Sequence, residues 1–269
     1  MTPFFAELAR RAAGSPELPW LFFRRELDWR WRSHRQVADH LARAAAVIQN
    51  AGVRATTALP LIGAESQSAL LATLAAGAAF VPLAEAPAEI PFLLQEDAKW
   101  PELAPAEPAR PILELPAARG NIERYTAAAL PTGPFGLLRS EQRSITLEQL
   151  EEAAAALAES LFADHQGKQP IVHLGARLDS ATAASVLLAC LAANAVVALE
   201  PYPPATIASL LWCRPTLVVA HAEEIAALAA SWTAKAAQHS RLQRILSWGE
   251  PDPAFAVKIG VPIFRLPTP

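Results

Sequence analysis

LLATLAAGAAFVPL, from Leu70 to Leu83, and LLACLAANAVVALE, from Leu187 to Glu200, decide how this chain is read. Set side by side at an offset of 117 residues, each runs through an alanine- and leucine-rich helical stretch. Each then reaches a residue suited to a left-handed helix end, Gly77 or Asn194, and finishes in a β-branched or aromatic run. Upstream, SHRQV from Ser33 matches TLEQL from Thr146 at an offset of 113, so the second copy carries four additional residues in between. Ser33 and Thr146 stand three residues before Gln36 and Gln149, the spacing of a capping box, in which the two side chains satisfy the orphan amides of a helix start. An alanine-rich helix follows in each copy, then a short apolar stretch, TTALPLI from Thr56 or QPIVHLG from Gln169, and then the quoted string. Helices alternating with apolar strands predict an α/β fold: two similar subdomains with largely parallel sheets covered by helices.

Working outward, Asp179 and Glu200 bracket an uncharged run, ATAASVLLACLAANAVVAL. It is alanine-rich and contains Thr182, Ser185 and Asn194, so a helix followed by a buried strand is expected rather than a membrane span. Ahead of the first copy, WLFFRRELDWRWR reads as a strand pair, because Trp29 and Trp31 alternate with Arg30 and Arg32. Its arginines suit the solvated face of an edge hairpin. Between the copies, Pro101, Pro105, Pro108, Pro111 and Pro116 leave room only for the short strand ILEL. The expected boundary lies there, with residues 1–118 forming a first subdomain that includes the strand pair and 119–269 forming the second.

The chain has 269 residues, 52% hydrophobic and 18% charged, against roughly 25% charged in average globular proteins. It is long enough to bury a core without disulfides, and disorder is excluded. The net charge of −3 argues against a dedicated nucleic-acid binder. Two cysteines, Cys190 and Cys213, and a start without the order of a signal peptide suit a reducing, cytoplasmic setting. Both thiols fall in apolar surroundings and read as inert, and the six histidines show no metal-ligand spacing.

The order of these pieces resembles the N-terminal region of the AMP-forming adenylate-forming superfamily, which includes acyl-CoA synthetases, nonribosomal peptide adenylation domains and luciferases. LAAGAAFVPLAEAP, from Leu74 to Pro87, is similar to that superfamily's AGA-V-PL phrase. LVVAHAEEIAAL, LQRILSWGEPDP and GVPIFRLPTP repeat its later order of strand, helix, a strand with a G-E pair, and the approach to a Y-G-P-T-E motif. The resemblance implies two related α/β subdomains, and a nucleotide site whose positions here are Thr132, Gly133, Phe135, Gly136, Gly249, Glu250 and Thr268.

Several of these positions are degenerate. The superfamily's phosphate loop is rich in hydroxyls and glycine and ends in P-K-G, because backbone amides and a lysine must hold ATP phosphates. The matching YTAAALPTGPFGLL places Phe135 at the lysine and Ala127, Ala128 and Ala129 where hydroxyls and glycine are expected. At the last motif only Pro267 and Thr268 match. Arg265 and Leu266 replace Tyr and Gly, and Pro269 replaces the magnesium-binding Glu. The superfamily's ribose-binding aspartate, hinge and C-terminal domain with its lysine have no counterpart in the sequence. Phe135 is expected to plug the former phosphate site near Gly249 and Pro267. Gly249 and Glu250 match a loop near the adenine pocket, and they also suit a simple turn before Pro251.

The expected function is therefore a catalytically inactive accessory or binding component of acyl or carrier-protein metabolism. It would have no catalytic residue, no metal and no cofactor, and its partner would be an acyl carrier protein, a ligase subunit or a second copy. Two alternatives stand beside it: an acyl-CoA or aryl-acid ligase completed by a separate chain, which would use ATP and magnesium, and a structural dimerisation partner.

Overall fold

The computed structural model describes residues 3–25, 28–39, 58–62, 79–82, 93–96, 112–115, 137–140, 143–162, 169–175, 180–199 and 207–266. Their strands, in chain order, are β1 (Pro19–Arg25), β2 (Asp28–Ser33), β3 (Ala58–Ile62), β4 (Ala79–Pro82), β5 (Leu93–Glu96), β6 (Ile112–Leu115), β7 (Leu137–Ser140), β8 (Arg143–Thr146), β9 (Ile171–Leu174), β10 (Val196–Leu199), β11 (Leu217–His221), β12 (Arg244–Trp248) and β13 (Ile263–Arg265). They form a six-stranded sheet, ordered β6-β5-β3-β4-β7-β8, and a seven-stranded sheet, ordered β13-β12-β11-β9-β10-β1-β2. The α/β architecture with largely parallel sheets is as expected.

The two quoted strings fall on corresponding strands. Ala58 lies opposite Ala79 in the parallel pair β3–β4, and Ile171 lies opposite Val196 in the parallel pair β9–β10. Those partners are separated by the same offsets of 113 and 117 that align the sequences. Outward from each pair the order also corresponds: β5 and β6 flank β3 as β11 and β12 flank β9.

The boundary expected at residue 118 is corrected. The chain divides into one unit of residues 1–18 and 33–154 and another of 19–32 and 155–269. The strand pair β1–β2, assigned from sequence to the first subdomain, instead extends the second sheet, where Leu21, Phe22 and Phe23 run parallel to Val197, Ala198 and Leu199. The antiparallel pair β7–β8 closes the edge of the first sheet, Phe80 facing Leu138. Each half therefore completes the sheet of the other. ILEL does form β6, but a proline-rich segment need not end a unit when the chain returns to the same sheet. Proximity in sequence does not report that exchange.

Local chemistry fixes the element ends. Ser33 Oγ accepts from the Gln36 amide at 3.3 Å while the Ser33 amide donates to Gln36 Oε1 at 3.0 Å, the capping box expected from SHRQ. Thr146 ends β8 directly before helix Leu147–Phe162, at the position that Ser33 takes in the first copy. Helix Ser180–Ala192 ends at Asn194, whose φ of 57° is left-handed as expected. The Ala195 amide bonds Cys190 O at 2.7 Å and the Asn194 amide bonds Leu191 O at 3.2 Å, which makes a Schellman closure with Asn in place of Gly. Residues 182–191 of this helix are all buried, so it is a central element, and β10 follows it. No helix among the described residues is long and apolar enough to cross a membrane. Buried Cys190 has its thiol pKa pushed far up by desolvation, which keeps it protonated and unreactive.

The second unit's core gathers Leu210, Val218, Ala220, Ile225, Leu228, Ala229, Ile245 and Ile259, with Trp232, Phe255 and Ile263 at its margin. Burying each large member contributes about 1.5–3 kcal/mol. These residues come from β11 and β12 and from helices Ile207–Cys213, Ala222–Ser231 and Pro253–Ile259, so the helices on this side of the sheet share one apolar layer.

In the first unit, His34 is fully buried beside the chain of helix Pro3–Gly14, its amide donating to Leu18 O at 3.2 Å. Burial first, and then the Arg11 charge, hold its pKa below 6.5. The neutral form is thus favoured in the folded state. Below about pH 6.5 the unfolded chain binds a proton that the folded chain does not, so stability falls with pH from there down to the folded pKa. We expect the urea midpoint to drop as pH is lowered from about 6.5, and the His34→Gln variant to lose that slope. A wild-type midpoint that stays flat across this range contradicts the assignment.

Candidate functional site

In open parallel sheets, ligands sit beyond the carboxyl ends of the strands where the strand order reverses. In the seven-stranded sheet that point lies between β9 and β11, because the chain passes from β9 to β10 on one side and returns to β11 and β12 on the other. Three strand ends meet there: Gly175 after β9, His221 closing β11, and the Ser247–Glu250 turn at the end of β12.

Among the described residues, a side chain of the chain itself lies over one of these strand ends. Gly175 donates its amide to Val219 O at 2.8 Å, which holds its backbone against β11. Over it lies the carboxyl group of Glu224, only 2% exposed, whose Oε2 accepts from the His221 amide at 3.0 Å. His221 in turn accepts from the Glu223 amide through Nδ1 at 3.3 Å, so helix Ala222–Ser231 opens with a reciprocal capping box. This acceptor role places the proton of neutral His221 on Nε2. A Cβ on Gly175 would meet the Glu224 carboxylate directly and Ala220 Cβ at 3.0 Å, so any larger residue must push the carboxylate aside.

Gly249 lies against the same helix start. Its φ is +90°, and a Cβ there would stand 3.5 Å from Ala222 Cβ and 3.9 Å from His221 Nε2. Ser247 Oγ donates to Gly249 O at 3.1 Å, and Asp252 caps the next helix by accepting from the Ala254 amide at 2.8 Å. The segment is held by these local bonds, as a turn before Pro251 would be. Glu250 projects into solvent and pairs with Arg265 at 2.9 Å. Arg265, which stands where the resembled superfamily has tyrosine, thus answers the one acidic residue of the G-E pair. This exposed pair contributes at most about 1 kcal/mol.

Of the positions implied by resemblance, the structure brings Gly249 and Glu250 to this edge. Thr132, Gly133, Phe135, Gly136, Pro267 and Thr268 lie outside the described residues, and so does the expected Phe135 plug. Gly175, His221 and Glu224 were not singled out from sequence. The signal was present in HAEE, a cap followed three residues later by Glu, with His in the place usually taken by Ser or Thr. Among the described residues no three His, Cys, Asp or Glu side chains converge on a metal-sized site.

No protein-family model and no curated protein matches the sequence. Solved structures share its fold. A fatty acyl-adenylate ligase from L. pneumophila, solved with acyl adenylate and pyrophosphate, superposes with a TM-score of 0.71 at 13% identity over 95% of this chain and 51% of its own. The N-terminal subdomain of Klebsiella oxytoca NpsA, in complex with 3-hydroxybenzoyl-AMSN, gives 0.68 at 16% identity over 97% of this chain and 70% of its own. The nonribosomal peptide synthetase FmoA3 in its AMPPNP-bound form gives 0.71 at 17% identity over 99% of this chain and 31% of its own. The chain has the fold of the N-terminal region of AMP-forming adenylating enzymes, and it spans about half the length of the Legionella ligase.

Proposed function

We propose that this chain is an adenylate-forming-ligase-like protein that keeps the α/β scaffold, does not catalyse adenylation by itself, and serves as an accessory or binding component of acyl or carrier-protein metabolism. The observation that carries this reading is the buried Glu224 carboxylate over Gly175, at the strand ends where a sheet of this kind holds its ligand. A nucleotide would bring negative charge to a crevice that holds a carboxylate, and two amides near the adjoining helix start, those of His221 and Glu223, are already engaged. These features support an edge that does not hold a phosphate. The substitutions Phe135 and Pro269, at positions where the resemblance calls for lysine and glutamate, point the same way, since adenylyl transfer rests on positioned cations. The test is carboxylate-dependent exchange of pyrophosphate into ATP by the purified chain, across fatty, aryl and amino acids. The expected exchange equals the protein-free background, and robust exchange with any acid overturns the proposal.

One observation favours a second reading: the chain spans 51% of the Legionella ligase. A ligase completed by a separate chain, with ATP and magnesium, would recover exchange activity only when that chain is added.

A further inference from the structure

The opposite end of the seven-stranded sheet has a different character. Between Glu200 and Glu250 the only acidic residues are Glu223 and Glu224, and both open helix Ala222–Ser231 at the carboxyl ends of the strands. The segments that reach the amino ends of β11 and β12 carry Arg214, Lys235, His239, Arg241 and Arg244 with no acid among them. The strands bring these cations together. Leu217 pairs with Arg244, and the Gln243 amide donates to Thr216 O at 2.9 Å, so Arg214 and Arg241 each lie three residues before the paired residues of neighbouring strands. Arg214, Lys235 and Arg241 are exposed and make no ion pair among the described residues. Arg244 lines a cavity of about 20 Å³, room for one water, with Pro170, Thr216 and Gln243. Leu161 and Phe162, at the end of helix Leu147–Phe162, line the same cavity, and that helix carries Glu159 near its end.

Two further observations mark this edge. Arg214 has a φ of +47°, the left-handed conformation that closes helix Ile207–Cys213 through its amide bond to Leu210 O at 2.9 Å. Glycine takes that conformation freely, whereas a side chain strains it. The chain thus holds a long cationic side chain where local backbone chemistry favours none. Two residues earlier, Trp212 is 50% exposed, held edge-on against Phe22 at 5.6 Å. Tryptophan and arginine are the side chains that most often dominate protein interfaces.

We propose that this edge is a docking surface for an acidic protein partner, one presenting clustered Glu and Asp side chains. The reading rests on the accessory role proposed above, and it names the partner's chemistry. A protein is favoured over nucleic acid because the cations are few and local on a chain of net charge −3, which repels a long polyanion. The tryptophan supplies apolar contact that a phosphate backbone does not use.

The experiment is fluorescence anisotropy of a labelled Glu-rich peptide against the full chain, in 20 and 300 mM NaCl. A Gln-substituted peptide, a single-stranded 20-mer DNA and inorganic phosphate serve as competitors. We expect binding of the acidic peptide that weakens at least tenfold in high salt, little affinity for the Gln peptide, and no displacement by phosphate. Arg241→Glu and Arg214→Gly should each weaken binding about tenfold. Arg214→Gly also relieves the left-handed strain, so its melting temperature should rise or stay level, which separates lost docking from lost folding. Equal affinity for the two peptides, unchanged binding by both variants, or tighter binding of DNA overturns the proposal. Pyrophosphate exchange reports on the functional reading and is indifferent to this surface, so either idea fails without the other.

Discussion

Trp20→Ala is expected to unfold the second sheet although Trp20 lies near the start of the chain. Trp20 is fully buried in β1, and β1 runs beside β10 in the seven-stranded sheet. Removing a buried tryptophan side chain typically costs about 3–5 kcal/mol, of the order of a whole domain's marginal stability. The damage should appear where β1 is paired. In hydrogen exchange, amides of β9 and β10 should lose protection in the variant before those of β3 and β4. If the boundary expected from sequence had been right, the loss would fall on β3 and β4 first, so the pattern of exchange distinguishes the two organisations.

The second large effect is expected at Gly175. An added methyl must displace the buried Glu224 carboxylate from its cap and press on Ala220 Cβ at 3.0 Å. Overpacking of this kind costs about 1–3 kcal/mol, and a disturbed cap adds about 1 kcal/mol. Gly175→Ala should therefore lower stability by about 3 kcal/mol. Glu224→Ala alone loses the capping box, about 1 kcal/mol. The double variant should be more stable than the sum of the two predicts, by at least about 1 kcal/mol, because the second change removes the group that the first one strikes. Additive losses in chemical denaturation would mean that the carboxylate does not lie over Gly175.

What the sequence disclosed and what it withheld divide along the range of the interactions involved. Ser33 and Gln36, or Asn194 after its helix, act within a turn of backbone, so their roles are legible from spacing alone. The repeated strings are legible for a related reason, since the same local pattern builds the same strand at the same register in both sheets. The exchange of β1–β2 is not legible, because its alternating pattern reads as a half-buried edge whichever sheet it joins, and the β7–β8 pair was not read as a hairpin at all. Glu224 over Gly175 was missed on similar grounds. Glu224 satisfies a local capping rule, while the glycine that makes room for it comes from another strand, and nothing in either segment names the other. Gly249 and Glu250 were reached only through resemblance, and the structure accounts for them as a capped turn and a solvent-exposed pair with Arg265.

Under the proposed function, this scaffold persists without the nucleotide chemistry of the enzymes whose fold it shares. Isothermal titration of the purified chain with ATP and magnesium is the decisive measurement. Heats indistinguishable from dilution are expected up to millimolar ATP. A saturable binding isotherm with one site per chain, lost in a competing titration with a non-hydrolysable ATP analogue, would contradict the proposed function.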